Sequence, residues 1–447
     1  MIKTFNLTSL GCPKNLVDSE VMYGLLEQNG WSAKDDPSEA ALLLVNTCGF
    51  IQPAVEESIE EILQLLPYKQ SNPETKIVVT GCLVQRYREK LERELPEVDL
   101  FIGTEGVGRI HSFLETFLAG ALTESTILPD LYLMDASLPR SLSTPFFRAW
   151  LKITEGCNNH CSYCMIPAIR GRLRSRETDD LVSEAGMLEQ RGVKELSLVA
   201  QDLTAYGDDL DKATDLVALL RALLEKTAIP WIRLMYLYPS TISDELLELM
   251  AAESRIVPYM DIPLQHVSDR VLKAMNRRYG YDQIVNLFGR VRAHLPDVAL
   301  RTTFLVGFPG ETDDDIDQLK AFIGREHIDH VGIFAYANEE GCPAETHAGQ
   351  IDEELKEVRL AEVAELQSQV SAANLQKYVG RIEPVLIEGL SSETDLLLMG
   401  RTRFQAPDID GCVLINDGTA SPGDLVDVEI TEAQIYDLVG RIKNSED

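Results

Sequence analysis

Cys157-Asn-Asn-His-Cys161-Ser-Tyr-Cys164 sets three cysteines in a C-x3-C-x2-C spacing directly after a short apolar run, residues 149–153. The chain holds only eight cysteines in 447 residues, so three within eight positions point to metal. Thiolates are soft ligands, and four of them normally complete a zinc ion or a cubane iron-sulfur cluster. Only three are local here. Either a fourth protein ligand arrives from elsewhere, which makes the site structural, or one position stays open for a small molecule, which makes it catalytic. His160 lies inside the loop and is the named candidate for completing a Cys3His zinc site.

Outward from this loop, strand and helix patterns alternate. Strands are predicted at 149–153, 195–199, 231–236, 260–264, 300–306 and 331–335, with helices at 178–190, 215–225, 243–251, 269–275 and 313–324. Six βα units imply a parallel barrel, incomplete beside the eight of the closed form. Chemistry in such barrels gathers at the carboxyl ends of the strands, where the cysteine loop leaves the first one. Polar residues at the other strand ends are candidates for a cofactor pocket: Gln201 and Asp202, Arg233, Gln265 and His266, and Thr302 with Thr303. Each also reads as a satisfied polar group of a barrel interior. Gly307-Phe-Pro-Gly310-Glu311 suggests a tight turn and lacks the Lys-Ser/Thr of a phosphate loop. Arg170, Arg172, Arg174 and Arg176 would share one face of an extended segment, free to hold a substrate carboxylate, pair with acids or face solvent.

The N-terminal third repeats one plan three times. Apolar strands at 4–12, 41–48 and 76–82 each end in a cysteine, Cys12, Cys48 and Cys82, followed by helical patterns at 16–28, 54–66 and 84–95. A βα repeat implies a parallel sheet covered on both faces, with its ligands along the carboxyl edge. Cysteines at three such strand ends can converge, and Gly11, Gly49 and Gly81 beside them suit a backbone bent around a bulky ligand. This is a second set of three thiolates, again one ligand short.

Length suggests about three domains. Apolar and charged contents of 45% and 25% are those of a soluble globular protein. The N-terminus has no signal-peptide pattern, and no apolar run approaches the ~20 residues that span a bilayer, so the expected location is the cytosol. A net charge of −31, from 72 acids against 41 bases, disfavours a polyanionic partner and fits a basic protein or simple solubility. Residues 352–378 read as one long helix, and short alternating segments at 384–387, 396–399, 411–415 and 425–430 as a small β-barrel. Isolated Cys342 and Cys412 read as structural.

The cysteine loop, with Tyr163 before its last cysteine on the first strand of a six-unit barrel, looks like the radical S-adenosylmethionine superfamily. With Cys12, Cys48 and Cys82 added, the whole chain resembles the methylthiotransferases. Leu10-Gly-Cys-Pro-Lys-Asn-Leu-Val-Asp-Ser-Glu20 and Asn46-Thr-Cys-Gly-Phe-Ile51 are similar to the RimO branch, which modifies an aspartate of the small-subunit ribosomal protein S-twelve. The sister MiaB branch acts on tRNA and differs around the first two cysteines.

The resemblance implies a flavodoxin-like N-terminal sheet domain (1–125), a partial (β/α)6 TIM-like radical barrel (140–350), a helical connector (351–378) and a TRAM-like β-barrel (379–447). It also implies two 4Fe-4S clusters. On the one held by Cys157, Cys161 and Cys164, the fourth iron takes the amine and carboxylate of S-adenosylmethionine, and an electron cleaves the sulfonium to a 5′-deoxyadenosyl radical. On the one held by Cys12, Cys48 and Cys82, the open iron carries sulfide or methylsulfide. A second S-adenosylmethionine gives the methyl group. Tyr163 would lie near the adenine, Gln201 and Asp202 near the methionyl amine or ribose, and a flavodoxin-type protein would supply electrons. TRAM domains commonly bind RNA, but residues 375–447 carry 6 bases against 14 acids, a balance of −8. That surface lacks the positive groove single strands need and suits a basic ribosomal protein, with nucleic acid not the direct substrate. The alternatives are a MiaB-like tRNA enzyme and a non-catalytic zinc or iron-sulfur adaptor.

Overall fold

The computed structural model describes residues 3–122, 124–211 and 214–443. Its first unit is a six-stranded, all-parallel sheet made of β1 (Thr4–Ser9), β2 (Ser32–Ala33), β3 (Leu42–Thr47), β4 (Lys76–Gly81), β5 (Leu100–Ile102) and β6 (Thr126–Ile127). The order is β2-β1-β3-β4-β5-β6, the flavodoxin-like arrangement, and it reverses between β1 and β3. The central strand β3, Leu-Leu-Leu-Val-Asn-Thr, is buried at every position, as a strand covered on both faces must be. Helix α1 (Pro13–Gln28) opens on Pro at its first turn, where the missing N–H costs nothing. The helix expected at 84–95 is interrupted: Arg88 takes φ +48, splitting it into Cys82–Tyr87 and Glu89–Glu94.

The second unit is an open barrel of six parallel strands in sequential order: Arg148–Lys152, Glu195–Val199, Trp231–Leu234, Ile256–Asp261, Ala299–Val306 and His330–Ala335. The fourth lies about one turn of chain earlier than the sequence suggests. Pro258 argues against a strand there, yet pairing to the third strand shifts register across this point, and the irregularity accommodates an imino acid without a donor. Leucine, isoleucine and valine from the strands and from the surrounding helices Thr178–Gln190, Leu216–Lys226, Asp244–Ala252, Tyr281–His294 and Asp313–Glu326 form one continuous core.

Helix Glu353–Leu375, followed by a short 3-10 turn, leads to a closed five-stranded barrel: Ile382–Leu390, Leu398–Thr402, Val413–Asp417, Leu425–Ala433 and Leu438–Ile442. This barrel seals the amino-terminal mouth of the larger one. Arg148, Glu195 and His330, each the first residue of its strand, bond Asp408 (2.9 Å), Arg401 (2.6 Å) and the Phe404 carbonyl (2.9 Å). With that end closed, the carboxyl ends of the strands are the barrel's free mouth, and the N-terminal domain sits over it. Among the described residues no helix is long and apolar enough to cross a membrane.

Candidate active site

Cys12 and Cys48 leave β1 and β3 on either side of the point where strand order reverses, the crevice where open parallel sheets bind ligands. Cys82 leaves β4 beside them. Glycine makes the approach possible at two places. Gly11 has φ +89, and a Cβ there would stand 2.8 Å from that of Cys48; Gly81 has φ +103, with a Cβ site 2.5 Å from the Thr47 carbonyl oxygen. Cys12 is the cap residue of α1. Arg170 reaches in from the barrel beside Cys12 and Cys82.

The second triad lies on the loop after the first barrel strand. Its walls are tied to neighbouring strand ends. Asn159 donates to Asp202 at 2.7 Å, the Ser162 hydroxyl to the Ala274 carbonyl at 2.8 Å, and Asn276 to the His160 carbonyl at 2.6 Å. Cys157 accepts the Asn159 backbone N–H at 3.4 Å. The His160 side chain is exposed, and only its carbonyl serves the loop. Cys82 packs in a small apolar wall with Met165, Ile169 and Cys342, covered by Phe50, which joins its triad to the residues that follow Cys164. Cys342, read from sequence as structural, is part of that wall.

Among the described residues no three His, Cys, Asp or Glu side chains close on a single point as ligands of one metal ion do. A cubane asks for something else, three thiolates each on its own iron. The donor chemistry fits that requirement. Burial pushes the Cys82 thiol up to about 11 and the Cys164 thiol up to about 12, and it raises Cys48 and Cys157. Such thiols ionise at neutral pH when a bound cation replaces the lost hydration. The remaining candidates divide. Gln201 donates to Glu155 at 3.3 Å and leaves its carbonyl oxygen buried without a partner, an acceptor available to a ligand amine. Asp202 accepts from Asn159 and from Thr204, and burial raises its pKa. Tyr163 packs its ring on a cluster of Val271, Met275, Phe308 and Tyr336. Gln265 adopts φ +70 as it leaves the fourth strand.

The structure does not bring Arg233 or Thr302 to the cysteines. Arg233 is buried deep in the barrel on Glu195 (2.6 Å) and the Arg403 carbonyl (3.0 Å), part of the seam with the C-terminal barrel. Thr302 donates to the Ile262 carbonyl at 2.8 Å and accepts the Leu264 N–H at 3.1 Å, bracing adjacent strands. His266 is fully buried; its Nδ1 accepts the backbone N–H of Val267 and Ser268, each at 2.9 Å.

The arginine stretch makes no common face. Arg170 bonds Asp18 and Glu155, Arg174 bonds Glu105, Arg176 bonds Asp180 and Glu184, and Arg172 is exposed. Three groups near the triads escaped the sequence reading. Asp18 bonds Lys152 as well as Arg170, and Lys152 bonds Glu155 at 2.8 Å, a buried ionic knot between the two domains. Lys14 spans from α1 to the Ala200 carbonyl (3.3 Å), with its ammonium 4.0 Å from the centre of the Tyr236 ring. Arg277 lies against Cys161 at 3.5 Å. Apart from the local Lys152–Glu155 pair, these contacts join residues from distant parts of the chain, where sequence spacing gives no sign of them.

A six-stranded open barrel with three cysteines on the loop after its first strand is the architecture of radical S-adenosylmethionine enzymes. The description "Radical SAM superfamily" matches residues 151–323, "Uncharacterized protein family UPF0004" residues 4–103 and "TRAM domain" residues 379–442. In fold the chain is similar to the radical S-adenosylmethionine methyltransferase TsrM of Kitasatospora setae, at a TM-score of 0.57 and 16% identity over 75% of each chain. It is also similar to the cobalamin-dependent radical enzyme OxsB, at 0.54 and 13% over 82% of this chain and 56% of that one. A protein of Desulfotalea psychrophila, named ribosomal protein uS12 methylthiotransferase RimO, is 57% identical over 442 residues, 99% of this chain and all of that one. One of the same name from Syntrophotalea carbinolica is 47% identical over 99% of this chain and 97% of its own. The chain belongs to the RimO family of radical methylthiotransferases.

Proposed function

We propose that this chain transfers a methylthio group to the β-carbon of an aspartate in ribosomal protein uS12, using two 4Fe-4S clusters. S-Adenosylmethionine and iron-sulfur use come with the family; the cluster count and the substrate are our reading. The observation that carries it is a second set of three thiols, Cys12, Cys48 and Cys82, which packs through Cys82 against Met165 and Ile169, residues that follow Cys164 of the other set. When bound, the first cluster and S-adenosylmethionine supply a hydrogen-abstracting radical, and the second cluster supplies the sulfur.

The chain's own residues set the geometry. Cys157, Cys161 and Cys164 would hold the radical-forming group at the barrel mouth; Gln201 has a free carbonyl oxygen that would accept from the methionyl amine, and Tyr163 would line the adenine side. Cys12, Cys48 and Cys82 would hold the cluster that supplies sulfur. Met165, Ile169 and Phe50 keep water out of the space between. The acidic surface, at −31 overall, supports a basic protein substrate over tRNA. An electron donor of flavodoxin type fits the same scheme.

The test is reaction of the anaerobically reconstituted protein with S-adenosylmethionine, a reductant and either uS12 or tRNA, read by mass spectrometry. A methylthio group on an aspartate of uS12 supports the reading; one on a tRNA adenosine instead overturns it.

A further inference from the structure

Arg277 follows the short helix Asp269–Ala274 and lies against the cysteine loop. Its guanidinium is fixed on several sides. Nη2 donates to the Pro263 carbonyl at 2.6 Å and Nε to the Tyr279 hydroxyl at 2.5 Å, while its carbon stands 4.4 Å from the Tyr238 ring centroid and 5.0 Å from that of Tyr279. The remaining arm, Nη1, donates to Cys161 Sγ at 3.5 Å.

What Arg277 lacks is as informative as what it touches. The deeply buried arginines of this chain each hold a carboxylate: Arg140 holds Glu20, Arg170 Asp18, Arg176 Glu184, Arg233 Glu195, Arg359 Glu311 and Arg401 Glu195. Among the described residues Arg277 has no carboxylate within ion-pair distance, and its neighbours are three tyrosines (Tyr163, Tyr238 and Tyr279), a carbonyl and a thiol. Arg277 is half-buried where those six arginines are fully enclosed, but a guanidinium cannot shed its charge, and one partly withdrawn from water still favours a counter-charge. The Asp202 carboxylate feels the Arg277 charge but is bonded to Asn159 and Thr204 instead, which leaves the thiolates of Cys157, Cys161 and Cys164 with the cluster they would hold as the anion Arg277 touches.

We propose that Arg277 is a positioning residue that sets the reduction potential of the cluster on Cys157, Cys161 and Cys164. It does so by placing a fixed positive charge and one N–H on the Cys161 sulfur. The inference rests on the cluster assignment made above. One electron, from a low-potential one-electron donor, enters the cluster; no proton moves and no bond breaks. The reduced state carries one more negative charge than the oxidised one, so a fixed cation and a hydrogen bond to sulfur favour it. At Cys12, Cys48 and Cys82 the neighbouring guanidinium, Arg170, lies beside Cys82 too, but its charge is shared with Asp18 and Glu155.

The experiment uses the full chain with Cys12, Cys48 and Cys82 replaced by Ala, so that one cluster gives the signal. Its potential is measured by dithionite titration and electron paramagnetic resonance before any S-adenosylmethionine is added. Arg277→Gln should keep the iron and sulfide content but lower the reduced-to-oxidised ratio at fixed poise about tenfold, a shift of about 59 mV toward negative potential. Arg277→Lys, which keeps the charge, should shift less; if Arg277→Gln takes up no iron, Arg277→Lys alone carries the comparison and should still fall below the parent. A potential unchanged in every variant that binds iron overturns the proposal. So does weaker S-adenosylmethionine binding at unchanged potential, which would make Arg277 a ligand for the cofactor carboxylate. A parent with no reducible cluster would overturn the cluster assignment itself, a result distinguishable from these.

Discussion

Arg170 of the barrel donates to Asp18 of α1 at 2.8 Å, and neither side chain reaches solvent. Around them Lys152 bonds Asp18 and Glu155, and Asn15 accepts a second arm of Arg170 at 3.1 Å. Burial works against the Arg170 charge, but Cys82, Glu155 and Asp18 override it and hold its pKa well above the ordinary range. Arg170 ends the short helix Ile166–Ile169 that follows the radical-site cysteines, while Asp18 stands six residues after Cys12. The contact therefore fixes the distance between the two triads.

Breaking this knot should harm transfer more than radical formation. Asp18→Asn leaves buried Arg170 and Lys152 short of a counter-ion, a change that typically costs about 3–5 kcal/mol. The expected outcome is a lower melting temperature, and more 5′-deoxyadenosine released per methylthio product than in the parent, measured by chromatography of one reaction mixture. An unchanged ratio would show that the knot is stabilising only.

The two triads should be separable by substitution. Cys161→Ala is expected to abolish 5′-deoxyadenosine formation. Cys48→Ala is expected to leave it largely intact and to stop sulfur insertion. If cleavage of S-adenosylmethionine is lost equally in both, the division of labour is wrong.

Acid should loosen the seam between the two barrels. Burial opposes the Glu195 charge, but Arg401 and Arg233 override it and pull its pKa down to about 2. Because the folded value lies below the unfolded one, the stabilisation is fully present above the unfolded pKa and is lost as pH falls toward about 2. Glu195→Gln should remove this contribution at neutral pH and destabilise by about 3–5 kcal/mol. Denaturant melts at pH 7 and at pH 3 check it: the gap between parent and variant should narrow in acid.

Charge should govern substrate capture. With −31 overall, binding to a basic ribosomal protein should weaken as salt rises, whereas tRNA should not bind at physiological ionic strength. Fluorescence anisotropy with labelled uS12 and labelled tRNA across a salt series reads both.

Much of this fold was legible because strand and helix periods are local. The three strand-cysteine-helix repeats and the six barrel strands stand nearly where their apolar runs lie. Helix Tyr281–His294 was overlooked although Ile284, Leu287, Phe288 and Val291 carry the spacing of a buried stripe, and strand Leu438–Ile442 because Gly and Arg interrupt it. The site was legible where one loop carries it, in Cys157, Cys161 and Cys164, or where a repeat does, in Cys12, Cys48 and Cys82. It was not where the partner is remote in sequence. Arg233 sits on the expected strand, but its direction depends on Glu195 and on a domain 170 residues away. The spacing of Arg170 to Arg176 suggested one face, yet three of the four side chains leave in different directions toward acids of other segments.

The most direct measurement is iron and labile sulfide in three proteins: the parent, the Cys157, Cys161 and Cys164 triple alanine variant, and the Cys12, Cys48 and Cys82 triple alanine variant. Two cubanes on separate triads require about eight irons in the parent and about four in each variant, with matching sulfide. Zinc without iron in the parent, or loss of all iron from both variants, would contradict the account.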